Sequence, residues 1–217
     1  LKKKILGPKL TTSNRLYQLD IPIIGLTGSI ATGKTTVSNI LKEKSIPLIC
    51  ADSLIKKIYT YPATIEAIKA RFPSVIENEN SIVFSKLRKL AFNNESIKKQ
   101  LEEILYLHLE TELKKEIEIK KIKSFFIYDT PLLFERGLES YYDYIVCIYS
   151  IKEVQIERLI KRDKITEELA HKMIASQISI EEKKVKSNYV IDNSLTIEKS
   201  LAQVELLIEE LNHLFNA

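Results

Sequence analysis

Ile21-Pro-Ile-Ile-Gly-Leu-Thr27 runs directly into Gly28-Ser-Ile-Ala-Thr-Gly-Lys-Thr35, and the architecture follows from that junction. The first seven residues form a short continuous apolar run, the pattern of a strand buried on both faces. The next eight match G-x-x-x-x-G-K-[ST] at every specified position, and helical periodicity follows from Lys34 to about Lys44. The chemistry of such a loop explains its residues. Backbone N–H groups must turn inward around a phosphate, which glycine permits without a Cβ clash. The helix beginning there presents its positive end to the same anion. The expected phosphate cradle is Gly28, Ser29, Ile30, Ala31, Thr32, Gly33, Lys34, Thr35 and Thr36. Lys34 supplies charge at the β and γ oxygens of ATP, and the Thr35 hydroxyl is a candidate ligand for Mg2+.

Working outward, a second strand over 47–51 ends at Asp52, and residues 53–123 carry helical periodicity almost without interruption. Strand patterns resume at 125–128, ending on Asp129, and at 144–149. A helix reads from 153 to 162, followed by a polar stretch over 163–188 that includes a capping-box pattern opening at Ser179. A short strand over 189–191 precedes a C-terminal amphipathic helix starting after Thr196. Strands alternating with helices predict an α/β fold of the P-loop NTPase type. The predicted sheet is parallel and flanked by helices, with a helical acceptor-binding insertion near 53–123 and a lid near 163–188. The kinase domain spans 21–217 on this reading, and residues 1–20 form a flexible basic arm.

Charge argues against a nucleic-acid partner. The net charge is +4, and residues 1–20 hold five cations against Asp20 alone, so 28 cations balance 28 anions in the rest of the chain. A neutral body lacks the clustered cations a nucleic-acid groove requires. Cys50 and Cys147 sit in apolar runs and read as reduced core thiols, and the three histidines have no metal-ligand spacing. No apolar stretch approaches bilayer length, and the first twenty residues lack an apolar signal core. A cytoplasmic protein without a membrane partner is expected. The pattern leaves its oligomeric state open.

Among nucleotide users, a GTPase should carry Asn-Lys-x-Asp, and no Asn-Lys dipeptide occurs. An ABC-type ATPase should carry a second glycine-rich signature, also missing. A small-molecule or nucleotide kinase fits. Asp52, past the second strand, suits either a proton acceptor for an attacking hydroxyl or a helix cap. Asp129, ending an apolar strand, suits either the metal sphere or a loop start. The 158–188 segment holds eight Lys/Arg against five acids, most of them suited to a solvated helix face, while arginine from a closing lid can stabilise a transferring phosphoryl group.

These motifs, in order, resemble the dephospho-CoA kinase family. Residues 24–37 resemble its opening strand and P-loop, and Ala51-Asp52 the end of its Asp-Ala-Asp element. Asp129-Thr-Pro-Leu-Leu-Phe-Glu135 is similar to its Asp-Val-Pro-Leu-Leu-Phe-Glu signature. Arg158, Lys161-Arg162-Asp163, Gln177, Glu182-Lys183 and Val190-Ile-Asp-Asn193 follow its lid and C-terminal pattern. The resemblance implies phosphorylation of the ribose 3′-hydroxyl of dephospho-CoA by ATP. It makes Asp52 the base, assisted by Lys34 and Arg162, with Asn193 at the ATP and Thr35 and Asp129 at Mg2+. It places Tyr106, Pro131 and Leu132 with Asp52 at the acceptor. The chain departs from the family pattern at Cys50, where the first aspartate usually stands, and at Tyr106-Leu107, where His-Pro is common. A nucleoside or nucleoside-monophosphate kinase, or a P-loop ATPase driving a partner interaction, are the alternatives.

Because Lys34 acts on phosphate rather than in the core, Lys34→Ala should keep the circular dichroism of the wild type. It should lose at least about tenfold in kcat, the least a transition-state charge is worth. Retention of wild-type turnover would remove Lys34 from the chemistry.

Overall fold

β1 (Ile23–Gly28) is buried at every position, as a strand between two helical layers must be. It pairs in parallel with β5 (Phe126–Asp129) on one side and β6 (Tyr144–Tyr149) on the other. β7 (Tyr189–Asp192) runs parallel beyond β6, and β2 (Leu48–Cys50) lies beyond β5, giving the order β2-β5-β1-β6-β7. The computed structural model describes residues 10–78, 81–92 and 94–215. Ile24 and Leu26 of β1 pack with Val37 and Leu41 of α1 (Lys34–Glu43) and with Val204, Leu207 and Leu211 of α9 (Ile197–Phe215). Each such side chain contributes roughly 1.5–3 kcal/mol on burial. The strands and flanking helices expected from sequence are present, with ends shifted by one or two residues.

The chain divides into two compact units. One holds the described residues up to Ile49 and from Ile122 onward; the other is Cys50–Lys121. The second contains α2 (Ala51–Ile58), α3 (Pro62–Arg71), a β3–β4 hairpin (Ile76–Glu77 and Ser81–Ile82), α4 (Phe84–Phe92) and α5 (Glu95–Ile119). Helical periodicity alone does not disclose the hairpin. In α5, Asn94 caps the first turn by accepting from the Ile97 N–H, and Leu101, Ile104, Leu105, Leu109 and Leu113 form the buried stripe. The first unit also contains α6 (Lys152–Asp163), α7 (Glu167–Ala175) and α8 (Ile180–Lys186), the last capped by Ser179.

Residues 10–20 correct the expectation of a flexible arm over 1–20; residues 1–9 lie outside the described residues. Arg15 Nε lies 2.8 Å from an oxygen of Asp143, whose side chain is fully buried. Asp143 also accepts from the N–H groups of Leu10 (3.1 Å) and Ile23 (2.9 Å). Arg15 completes its fork on the carbonyls of Leu10, Leu19 and Asp20. The segment thus ties to the start of the central strand through an ion pair. Composition hid this, because the partner lies 128 residues away.

Inside the helical unit, Glu112 of α5 is fully buried, with Lys57 of α2 at 2.8 Å and Lys115 at 2.9 Å. Burial alone would raise its carboxyl pKa. Hydrogen bonds from Lys57, Tyr61 and Lys115 outweigh that and hold it at about 2. The pair pins α2 to α5.

Two outcomes follow. Arg15→Ala leaves Asp143 buried without its counter-charge, a loss on the order of 3 kcal/mol. Tm should fall by roughly 6–12 °C on that basis; a fall under about 2 °C would detach residues 10–20 from the fold. For Glu112, folding lowers the pKa from 4.5 to about 2, so its stabilisation is complete above the unfolded value and lost as pH falls through the folded one. Glu112→Gln should therefore lower Tm at neutral pH, with the gap to wild type closing in strong acid. An equal gap at both pH values would contradict this.

Candidate active site

β1 ends on Gly28 and α1 begins at Lys34, and the five residues between them form the loop. Gly33 adopts a left-handed conformation at φ 86°, and a Cβ there would collide with the side-chain amide of Asn193. Ala31 takes a similar left-handed turn at φ 60°. The loop and the first helical turn around these reversals present a series of backbone N–H groups. Those of Ala31, Gly33, Lys34 and Thr35 have no hydrogen-bond partner among the described residues. Unpaired donors at a helix start form an anion site. Lys34 Nζ is hydrogen-bonded to Asp129 Oδ1, and Ser38 Oγ donates to Asp129 Oδ2 at 3.3 Å. Asp129 is adjacent because β5 lies beside β1 with Leu26 opposite Asp129.

The carbonyl side of the loop is held by other elements. Arg158 of α6 donates to Ala31 O (3.4 Å) and Thr32 O (3.3 Å), and its other terminal nitrogen to Asn193 O (2.8 Å). Asn193 Nδ2 donates to Thr32 O at 2.8 Å, while its Oδ1 accepts from Ser200. Lys183 of α8 is fully buried, 2.7 Å from Glu135 Oε1, and donates to Gly28 O at 3.2 Å. Gln177 Oε1 accepts from the Ile30 N–H at 2.9 Å.

Arg158 and Lys183, expected as lid cations, lie behind the loop in this structure. Both are already committed to loop carbonyls, so neither side chain stands free to follow a phosphoryl group. Charge along the chain does not say which atom a cation faces, and here both face backbone carbonyls. Gln177 entered only through the family resemblance, since an uncharged residue has no sequence pattern to mark it. Arg162, by contrast, is largely exposed and forms a two-point pair with its neighbour Asp163.

Pro131 and Leu132 follow β5 in the sheet unit. The Pro131 carbonyl accepts from Thr27 Oγ1 at 3.1 Å, and Leu132 is 41% exposed. Asp52 and Tyr106 belong to the helical unit. The N-cap of α2 is Cys50, and Asp52 stands in the first turn beyond it, so a capping role does not account for Asp52. Its exposed carboxylate makes no hydrogen bond or ion pair among the described residues. Lys56, one turn further along the same face of α2, lines a cavity of about 1040 Å³ within this unit. Tyr59, Phe84, Arg88 and Lys98 also line it, giving apolar walls with three cations.

A family model for dephospho-CoA kinase matches residues 22–199. A dephospho-CoA kinase of Fusobacterium nucleatum is 39% identical over 194 residues, covering 89% of this chain and all of the relative. One from Listeria monocytogenes is 36% identical, covering 86% of this chain and 95% of the relative. Among solved structures, a dephospho-CoA kinase from Campylobacter jejuni superposes with TM-score 0.64 at 30% identity, covering 87% of this chain and 96% of that one. TT1252 from Thermus thermophilus shares the fold at TM-score 0.78 and 23% identity, covering 88% of this chain and 98% of that one. With a strand-delivered phosphate loop, a lysine and carboxylate beside it, and these relatives along most of its length, the chain belongs to the dephospho-CoA kinase family.

Proposed function

We propose that the protein transfers the γ-phosphoryl group of ATP to the ribose 3′-hydroxyl of dephospho-CoA, giving ADP and coenzyme A. The observation that carries this reading is the row of unpaired N–H groups at Ala31, Gly33, Lys34 and Thr35 beside the Lys34 ammonium. Such preorganised donors stabilise charge on phosphate oxygens without rearranging during the reaction. Arriving phosphates compete with Asp129 for Lys34, which then sits on the β and γ oxygens.

The residues also fit Mg2+. The exposed Thr35 hydroxyl and the Asp129 carboxylate are hard oxygen donors, and the ion takes few protein ligands because phosphates and water complete its sphere. When bound, the ion neutralises negative charge on the β and γ oxygens. Release of Lys34 from Asp129 frees a carboxylate oxygen for that role.

Asp52 is our choice for the base. It is exposed and unpaired at the head of α2, so its lone pairs are available to accept the 3′-hydroxyl proton. The cavity further along the same helix supports the acceptor assignment. Its three cations suit a pyrophosphate, and its aromatic walls suit a pantetheine arm. Tyr106, Pro131 and Leu132 complete the acceptor set on the family pattern. Arg162, exposed and tied only to its chain neighbour, is the cation we assign to the transferring group. Among the described residues no helix is long and apolar enough to cross a membrane. Water-soluble substrates suit a cytoplasmic enzyme.

A coupled assay comparing dephospho-CoA with AMP and uridine tests the acceptor, and turnover with either alternative instead of dephospho-CoA would refute it. The two carboxylates should separate. Asp52→Asn should lower kcat by roughly 10²–10⁴-fold with ATP affinity little changed. Asp129→Asn should raise the Mg2+ concentration needed for half-maximal activity. Mg2+ titrations of both variants decide the matter, and a shift in Asp52→Asn but not Asp129→Asn would reverse the roles.

A further inference from the structure

Lys183 presents a physical puzzle. Its side chain is completely buried, and moving an ammonium out of water is unfavourable unless every donor is matched. Here all three are matched: Glu135 Oε1 at 2.7 Å, Gly28 O at 3.2 Å and Pro131 O at 3.5 Å. An apolar pair of equal volume generally stabilises a core as well as a buried ion pair does. Stability alone therefore gives no reason for an ammonium at this place. Its bond to Gly28 O supplies one.

Gly28 is the last residue of β1 and the entry to the phosphate loop. A peptide unit is planar, so fixing the Gly28 carbonyl fixes the direction of the Ser29 N–H as well. Two further bonds from the same short segment act on the next two residues. Ser29 Oγ donates to Ile178 O at 3.5 Å, and the Ile30 N–H donates to Gln177 Oε1 at 2.9 Å. Glu135 Oε1 in turn accepts from the Ile178 N–H at 3.2 Å, tying that segment to the ion pair. The first half of the loop is thus held on its outer side at three successive residues. From Ala31 onward, the N–H groups of Ala31, Gly33, Lys34 and Thr35 have no partner among the described residues.

We propose that residues 177–183 are not part of a moving lid but a fixed support that sets the phosphate-binding conformation of residues 28–30, with Lys183 and Gln177 as positioning residues. Lys183 acts through the Gly28 carbonyl and Gln177 through the Ile30 amide; neither touches the nucleotide. Any moving lid is then confined to the chain before Gln177. The proposal rests on the reading of the loop as an ATP cradle, which ATP binding by the wild-type protein checks separately.

The test compares ATP affinity, by calorimetric titration, with Tm. In the double variant Lys183→Met, Glu135→Gln the buried charges are removed together, so the core stays neutral while the Gly28 bond is lost. Tm should remain within a few degrees of wild type, while the ATP Kd rises about tenfold, the loss expected for one charge-assisted hydrogen bond. Gln177→Ala, at a partly exposed position, should weaken ATP binding about threefold or more, with Tm nearly unchanged. A purely structural ion pair predicts the reverse: any loss falls on Tm, and ATP affinity stays at the wild-type value. Kd values within twofold of wild type in both variants would overturn the proposal. Should the double variant not fold, Gln177→Ala decides alone by the same criterion. Failure of the wild-type protein to bind ATP would instead overturn the cradle reading, and the proposal with it.

Discussion

A loop that turns its amide hydrogens toward an anion must turn its carbonyl oxygens the other way. Those oxygens cannot be left buried and unpaired, since each would forfeit its bond to water without replacement. Much of the sheet unit answers that demand. Arg158 comes from α6, Asn193 from the end of β7 and Lys183 from α8, and each donates to a carbonyl of the segment Gly28–Thr32. Three stretches far apart in sequence converge behind one turn. Their arrangement explains why a phosphate site needs a whole domain and not merely a glycine-rich octapeptide.

The same constraint connects two of the family's signature stretches. Glu135, at the end of the Asp129–Glu135 element, binds Lys183 of the C-terminal element, and Lys183 reaches the loop through the Gly28 carbonyl. In chemical terms the charged residues of this region divide into two groups. Lys34 and Asp129 are paired beside the loop, and on the proposed function they exchange partners when phosphates arrive. Arg158 and Lys183 stand behind it and hold its shape. A basic segment that reads as one lid is therefore two things, a support and, before it, the exposed Arg162.

Buried ion pairs also organise regions away from the loop. Arg15–Asp143 anchors the segment before β1, and Lys57–Glu112 joins α2 to α5 in the helical unit. The second pair bears on the proposed function, because α2 carries Asp52, the base we propose, in its first turn. Orientation of a proton acceptor depends on the helix that bears it. That helix is fixed to its neighbour by a buried carboxylate with the ammonium groups of Lys57 and Lys115 at ion-pair distance.

The sequence by itself determined the strand–loop–helix unit, the parallel α/β class, the helical insertion, and Lys34, Thr35, Asp52 and Asp129 as chemically active candidates. These follow from local rules: apolar runs, helical period, and a glycine spacing that only a phosphate turn requires. Four things were decided only by tertiary structure. Asp129 meets Lys34 because β5 is inserted between β2 and β1, which the order of elements along the chain does not specify. Arg158 and Lys183 changed from phosphate ligands to carbonyl donors because their direction depends on where α6 and α8 pack. Residues 10–20 became part of the fold because Asp143 waits for Arg15. The role of Gln177 appeared only with the Ile30 amide beside it. A side chain's type can be read along the chain, but the atom it faces is set by the packing of segments far apart in sequence.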